Sequence, residues 1–125
     1  MRTAKEVAVA LLQYVQQHAK ERHDETEYDW GHETVVSKFG NTRDDDDLLG
    51  YYYEDCADID DIPFFVSAEL GTDCKFENIK IEMPSKAECA ELGMTHADYI
   101  NFCGEFMAAV NSELNYCDNI KFNFL

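Results

Sequence analysis

The pattern of apolar residues predicts an α+β fold. It comprises a small, largely antiparallel sheet of three to four strands, with an N-terminal helix and two later helices packed on it. Three observations carry this expectation. Apolar side chains recur at three- and four-residue steps near the N-terminus and again after residue 95. They alternate with polar ones over 75–83 and 120–124. Helix-capping residues stand ahead of each helical stretch.

The first helix spans residues 3–22. Thr3 and Glu6 have capping-box spacing, in which the hydroxyl caps a free amide and the carboxylate reaches back. Ala8, Leu11, Leu12, Val15 and Ala19 make one apolar stripe, with Tyr14 and His18 at its edge. Residues 23–43 are polar and acidic around Tyr28 and Trp30. Within them, 34–39 has β-branched residues and Gly40-Asn41 marks a turn. Leu48–Tyr53 and Ile62–Leu70 read as strands, with Pro63 suited to a strand start or an edge. Gly71-Thr72-Asp73 reads as a turn, so 62–70 and 75–83 form a hairpin. On 75–83, Ile79, Ile81 and Met83 face one way and Lys80 and Glu82 the other.

Pro84 closes that strand, and Ser85 with Glu88 caps a short helix that Gly93 ends. Thr95 caps a longer helix, to about Tyr116. Its stripe is Tyr99, Cys103, Phe106, Met107, Val110 and Leu114, with Phe102 beside it. Gly104 inside it costs about 1 kcal/mol relative to Ala, which points to close packing there. Ile120, Phe122 and Phe124 alternate with Lys121 and Asn123, as expected for a C-terminal strand docked on the sheet. There is no internal repeat and no linker, so residues 1–125 read as one domain.

The charge is the unusual feature. Twenty-six acidic residues face ten basic ones, for a formal net charge of −16. The excess is concentrated: the acidic segment 24–73 holds 16 acidic residues and two basic ones, Lys38 and Arg43. Its densest part, Asp44–Asp61, has nine carboxylates and no lysine or arginine. Solubility alone needs a net charge of only about 2–8 in magnitude, and self-repulsion opposes folding. Halophilic adaptation spreads acid over a whole surface, unlike this segment. A disordered acidic tail is excluded by a composition that is 46% hydrophobic and 13% aromatic.

Motifs for chemistry are missing. An EF-hand loop starting at Asp45 puts Gly50 at position 6 but Leu49 and Cys56 at ligand positions; starting at Asp44 it puts Leu49 at position 6. The five cysteines (Cys56, Cys74, Cys89, Cys103, Cys117) lie 14 to 18 residues apart, too far for a compact zinc site. No phosphate-binding loop, nucleophile elbow or H-E-x-x-H is present. The expectation is therefore a non-enzyme with no cofactor and no metal. Odd, scattered cysteines without a secretory signal point to a reducing, cytoplasmic compartment. No stretch approaches 18 apolar residues, so no membrane helix is expected.

Binding is the function that the charge fits. Proteins that hold nucleic acid do so with clustered lysine and arginine. A folded surface of fixed carboxylates is complementary to the same basic groove, and opposite charge speeds the encounter. The candidate contact residues are Asp44, Asp45, Asp46, Asp47, Glu54, Asp55, Asp58, Asp60 and Asp61, with Tyr51 and Tyr53 as aromatic anchors. Strand alternation offers the competing assignment, in which some of these tyrosines are sheet core.

In size and charge the chain resembles the anti-CRISPR and antirestriction inhibitors of phages and plasmids. That resemblance implies a bacterial host cytoplasm and a basic partner, such as a CRISPR effector, a restriction enzyme or a nuclease. It implies no direct contact with nucleic acid or membrane. The alternatives are an immunity protein that neutralises a basic nuclease toxin and a small enzyme or ligand-binding domain with an acidic pocket.

Overall fold

A computed structural model describes residues 2–25, 51–71 and 75–124, with side chains from residue 2 to 19 and from 53 onward in those ranges. The elements, in order, are α1 (Ala4–Glu25), β1 (Tyr51–Ile59), β2 (Ile62–Leu70), β3 (Phe76–Glu82), α2 (Lys86–Glu91), α3 (His96–Glu113) and β4 (Ile120–Asn123). This is the expected α+β arrangement: an N-terminal helix, a four-stranded, mostly antiparallel sheet and two later helices. Several expectations lie outside the described residues: the turn at Gly40-Asn41, the aromatics Tyr28 and Trp30, the segment 34–39, Leu48–Gly50 and residues 72–74.

The helix starts form as the capping pairs dictate. The amide of Thr3 donates to Glu6 Oε1 at 3.0 Å, and the amide of Glu6 donates to Thr3 Oγ1 at 3.2 Å. Ser85 with Glu88 and Thr95 with Asp98 make the same reciprocal bonds ahead of α2 and α3. These bonds hold the carboxyls of Glu6, Glu88 and Asp98 below their ordinary range, because each accepts from a backbone amide. Gly93 ends α2 with φ +91°. Its amide donates to Ala90 O and that of Met94 to Cys89 O, the paired bonds of a Schellman motif.

Sheet order is β1-β2-β3-β4. The first three strands form an antiparallel meander, and β4 returns through α2 and α3 to lie parallel to β3. A parallel neighbour requires such a crossover. β1 and β2 are joined at Asp60-Asp61, both with positive φ (53° and 67°), as a two-residue type I′ hairpin demands. β1 therefore extends to Ile59, well beyond the expected end at Tyr53. Pro63 sits in an interior strand, yet β2 pairs with β3 only from Phe65 onward, so no ladder bond is lost there. Pairing shifts between Glu69 and Leu70, opposite Asn78 and Phe76, leaving Glu77 as the extra residue of a bulge. Beside the bulge, buried Asn78 donates from Nδ2 to Glu69 Oε1 at 3.0 Å.

The core lies between one face of the sheet and the two long helices. α1 buries Ala4, Val7, Ala8, Leu11, Leu12, Val15 and Ala19; α3 buries Phe102, Cys103, Phe106, Val110 and, just past its end, Leu114. The sheet contributes Tyr53, Ala57, Ile59, Ile62, Phe64, Val66, Ala68, Leu70, Ile79 and Ile81. Each fully buried large aliphatic or aromatic side chain stabilises the fold by about 1.5–3 kcal/mol. Phe106 is the centre of this layer. It stacks on Phe64 at 5.0 Å and on Phe102 at 5.8 Å, and it meets Phe122 edge-on at 6.5 Å. Gly104 corrects an expectation: a Cβ placed there meets nothing within 4 Å, so the glycine does not serve close packing.

Candidate acidic docking face

The strand period decides which carboxylates face outward. Along β1, Tyr53, Ala57 and Ile59 are buried on the helix-covered face, with half-buried Asp55 among them. Glu54, Cys56 and Asp58 point to the opposite face and are exposed. No described helix lies on that opposite face. Its β2 neighbours are Ser67, Phe65 and Pro63, registered against Glu54, Cys56 and Asp58 respectively.

At the end of this row the hairpin turn adds Asp60 and Asp61, with Asp61 exposed. Non-glycine residues rarely adopt positive φ, and Asp does so at lower cost than most. Two in succession allow the turn to carry two charges where Asn-Gly would make the easier turn. Asp60 is held by Arg2: the guanidinium Nε lies 3.6 Å from Asp60 Oδ1, and the Arg2 amide donates to Oδ2 at 3.3 Å. The sequence offered no signal for that contact, which spans 58 residues.

Tyr53 and Asp55 are separated from this face. Tyr53 is 2% exposed and belongs to the core, which corrects its assignment as a surface anchor. Its hydroxyl donates to Asp55 Oδ2 at 3.0 Å, while Asp55 Oδ1 accepts from the Cys56 amide at 2.8 Å. Burial, then the bond to Asp55, pushes the Tyr53 hydroxyl well above its ordinary pKa. Tyr14 and His18 of α1 stack at 3.9 Å beside it, with the His18 ring 6.3 Å from that of Tyr53. His18 Nδ1 lies 2.8 Å from the Tyr14 carbonyl, which only accepts, so Nδ1 carries the proton. These groups tie α1 to β1 and are part of the fold's interior wall.

Asp44, Asp45, Asp46 and Asp47 lie outside the described residues, as does the side chain of Tyr51, whose backbone pairs with Leu70. The structure thus brings Glu54, Asp58, Asp60 and Asp61 to one face and its tip, and turns Tyr53 and Asp55 inward.

Glu69 of β2, Lys80 and Glu82 of β3 and Lys121 of β4 share the outer face. The parallel register sets Lys80 of β3 opposite Lys121 of β4. Alternation marked each lysine as outward, but their pairing is non-local and invisible to a local reading. Buried thiols lie elsewhere: Cys89 and Cys103 are pushed up in pKa by burial, and Cys103 is hydrogen-bonded with Tyr99. Among the described residues, no group of three or more His, Cys, Asp or Glu is placed to hold a metal ion. No described helix is long and apolar enough to cross a membrane. The chain matches no protein-family model, no curated protein and no solved structure.

Proposed function

We propose that this protein is a non-enzymatic acidic inhibitor. It docks on a basic nucleic-acid-binding surface and occupies it by charge mimicry, as an anti-CRISPR or antirestriction protein of a phage or mobile element does in the bacterial cytoplasm. The supporting observation is the row of exposed carboxylates Glu54, Asp58 and Asp61 on one strand and its turn. They lie on a regular strand and its turn, which follow the Asp44–Asp47 run in the chain. A fixed row of charge presents a basic groove with an ordered polyanion, so little side-chain freedom is lost on docking. Burying such a row costs heavily unless each carboxylate meets a cation, which selects a partner rich in lysine and arginine.

The test is a pull-down from bacterial lysate at low and moderate salt, with and without nuclease treatment. Captured nucleic-acid-processing protein should be lost as salt rises and be displaced by added duplex or guide RNA. Its identity distinguishes a defence effector from a nuclease toxin, whose capture would make this an immunity protein. Capture that ignores both salt and nucleic acid, or no capture, refutes charge mimicry. A variant with Asp44–Asp47 changed to Asn and another with Glu54→Gln, Asp58→Asn and Asp61→Asn should each bind less tightly.

A further inference from the structure

The sheet has two edges, and they differ. β1 is guarded against an added strand: Glu54 and Asp58 point out from it, and Asp55 Oδ1 takes up the Cys56 amide. β4, at the other edge, carries no carboxylate, and Lys121 is the only charge between residues 119 and 124. Its register with β3 decides where its backbone points. The amides of Ile79 and Met83 donate to the carbonyls of Asn119 and Asn123, at 2.9 and 2.7 Å. Successive residues of a strand turn their backbone groups to opposite edges. The amides and carbonyls of Ile120 and Phe122, and the amide of Phe124, therefore point away from β3. Among the described residues nothing bonds to them. The side chains of Ile120, Phe122 and Phe124 share the helix-covered face, where Phe122 meets Phe106. Ile120 and Phe122 are half-buried, whereas Phe124 is 52% exposed.

We propose that β4 pairs with β4 of a second copy of this chain, antiparallel across a two-fold axis, so that the two four-stranded sheets become one. Setting Phe122 opposite the partner's Phe122 places Ile120 opposite the partner's Phe124. The outward backbone groups then meet as hydrogen-bonded pairs. Each Phe124 is covered by an Ile120, an aromatic–β-branched pair of the kind that stabilises a ladder. Lys121 falls opposite the partner's Asn123. A lysine on an edge strand ordinarily guards it. Here it excludes the neighbouring register, which would set Lys121 opposite itself, and leaves this one open. A strand of another protein could use the same backbone groups. The self-complementary register covers Phe124 and keeps the lysines apart with no outside residue, and this favours a second copy. The net charge of −16 does not prevent pairing, because β1 lies at the far edge of each sheet. Across the joined sheet the two β1 strands stand about 33 Å apart, at about 4.7–4.9 Å per strand. That is several times the Debye length of about 8 Å in physiological salt. The inference is independent of the partner proposed for the acidic face.

The experiment follows the full chain by sedimentation from micromolar to millimolar concentration in physiological salt, with amide hydrogen exchange at both ends of that range. A species of twice the chain's mass should form as concentration rises. The amides of Ile120, Phe122 and Phe124 should gain protection with it, while those of Lys121 and Asn123, which face β3, are protected throughout. Phe124→Pro removes an outward donor and no bond to β3, so it should weaken pairing at least about fivefold and leave the melting temperature of dilute protein unchanged. Asn123→Lys is the second variant. It faces Glu82 within the chain and the partner's Lys121 across the proposed axis. Adding a lysine relieves undirected repulsion and so predicts tighter association; the proposed register predicts pairing weakened about two- to thirtyfold. A single-chain species at millimolar concentration overturns the proposal. So does association that both variants leave unchanged, or that brings no protection to the three outward amides.

Discussion

Phe106 shows how much of this fold depends on single side chains. It is fully buried and meets three other aromatic rings, so truncation leaves a cavity that the surrounding sheet and helices cannot close. Phe106→Ala should destabilise the protein by about 3–5 kcal/mol, measured by denaturant unfolding. A loss under about 1 kcal/mol would mean that the layer repacks. Two tyrosines set a different limit. Burial pushes Tyr99 up to about 12 and raises Tyr53 further still. Both are folded-state pKa values above the unfolded value of 10.0. Neutral hydroxyls thus contribute stability that is fully present below about pH 10 and is lost as pH climbs through the folded values. Melting temperature should fall between about pH 10 and 12, and Tyr99→Phe together with Tyr53→Phe should flatten that fall.

At the scale of elements, two turns of backbone chemistry make opposite predictions. Gly104 is in a helix interior with open space around it, so Gly104→Ala should stabilise by about 0.8–1 kcal/mol. Asp61 has φ 67° in the hairpin turn. Changing it to Gly relieves about 1–2 kcal/mol of left-handed strain and returns about 0.5–1 kcal/mol of chain entropy. Asp61→Gly should therefore raise the melting temperature and weaken partner binding. A raised melting temperature with unchanged binding would show that the turn is not where the charge acts.

The elements differ in how far the sequence revealed them. Helices α1, α2 and α3 were legible because capping residues and stripes are local. So were β3 and β4, whose alternation is clean. The β1–β2 hairpin was not, because its turn residues, Asp60-Asp61, match the acidic run around them and carry no glycine or asparagine. Without a visible turn, Glu54–Ile59 reads as part of a charged segment, and the same gap hid which carboxylates face outward. Once the register is known, period two alone assigns Tyr53 to the core and Glu54 and Asp58 to the surface.

For the whole molecule the question is why a fold with a well-packed aromatic core keeps so large a charge. A net −16 opposes compaction, and the hairpin adds strain to hold two more carboxylates at its tip. Both costs fall on the segment that the proposed partner covers. The direct measurement is inhibition of duplex cleavage by a panel of purified CRISPR effectors and restriction enzymes, followed as salt is raised. The proposal predicts that at least one enzyme is inhibited, that inhibition weakens more than about tenfold between 50 and 200 mM salt, and that Glu54→Gln/Asp58→Asn/Asp61→Asn reduces both the inhibition and its salt slope. Inhibition that survives the salt and these substitutions unchanged, or a panel with no inhibited member, would contradict it.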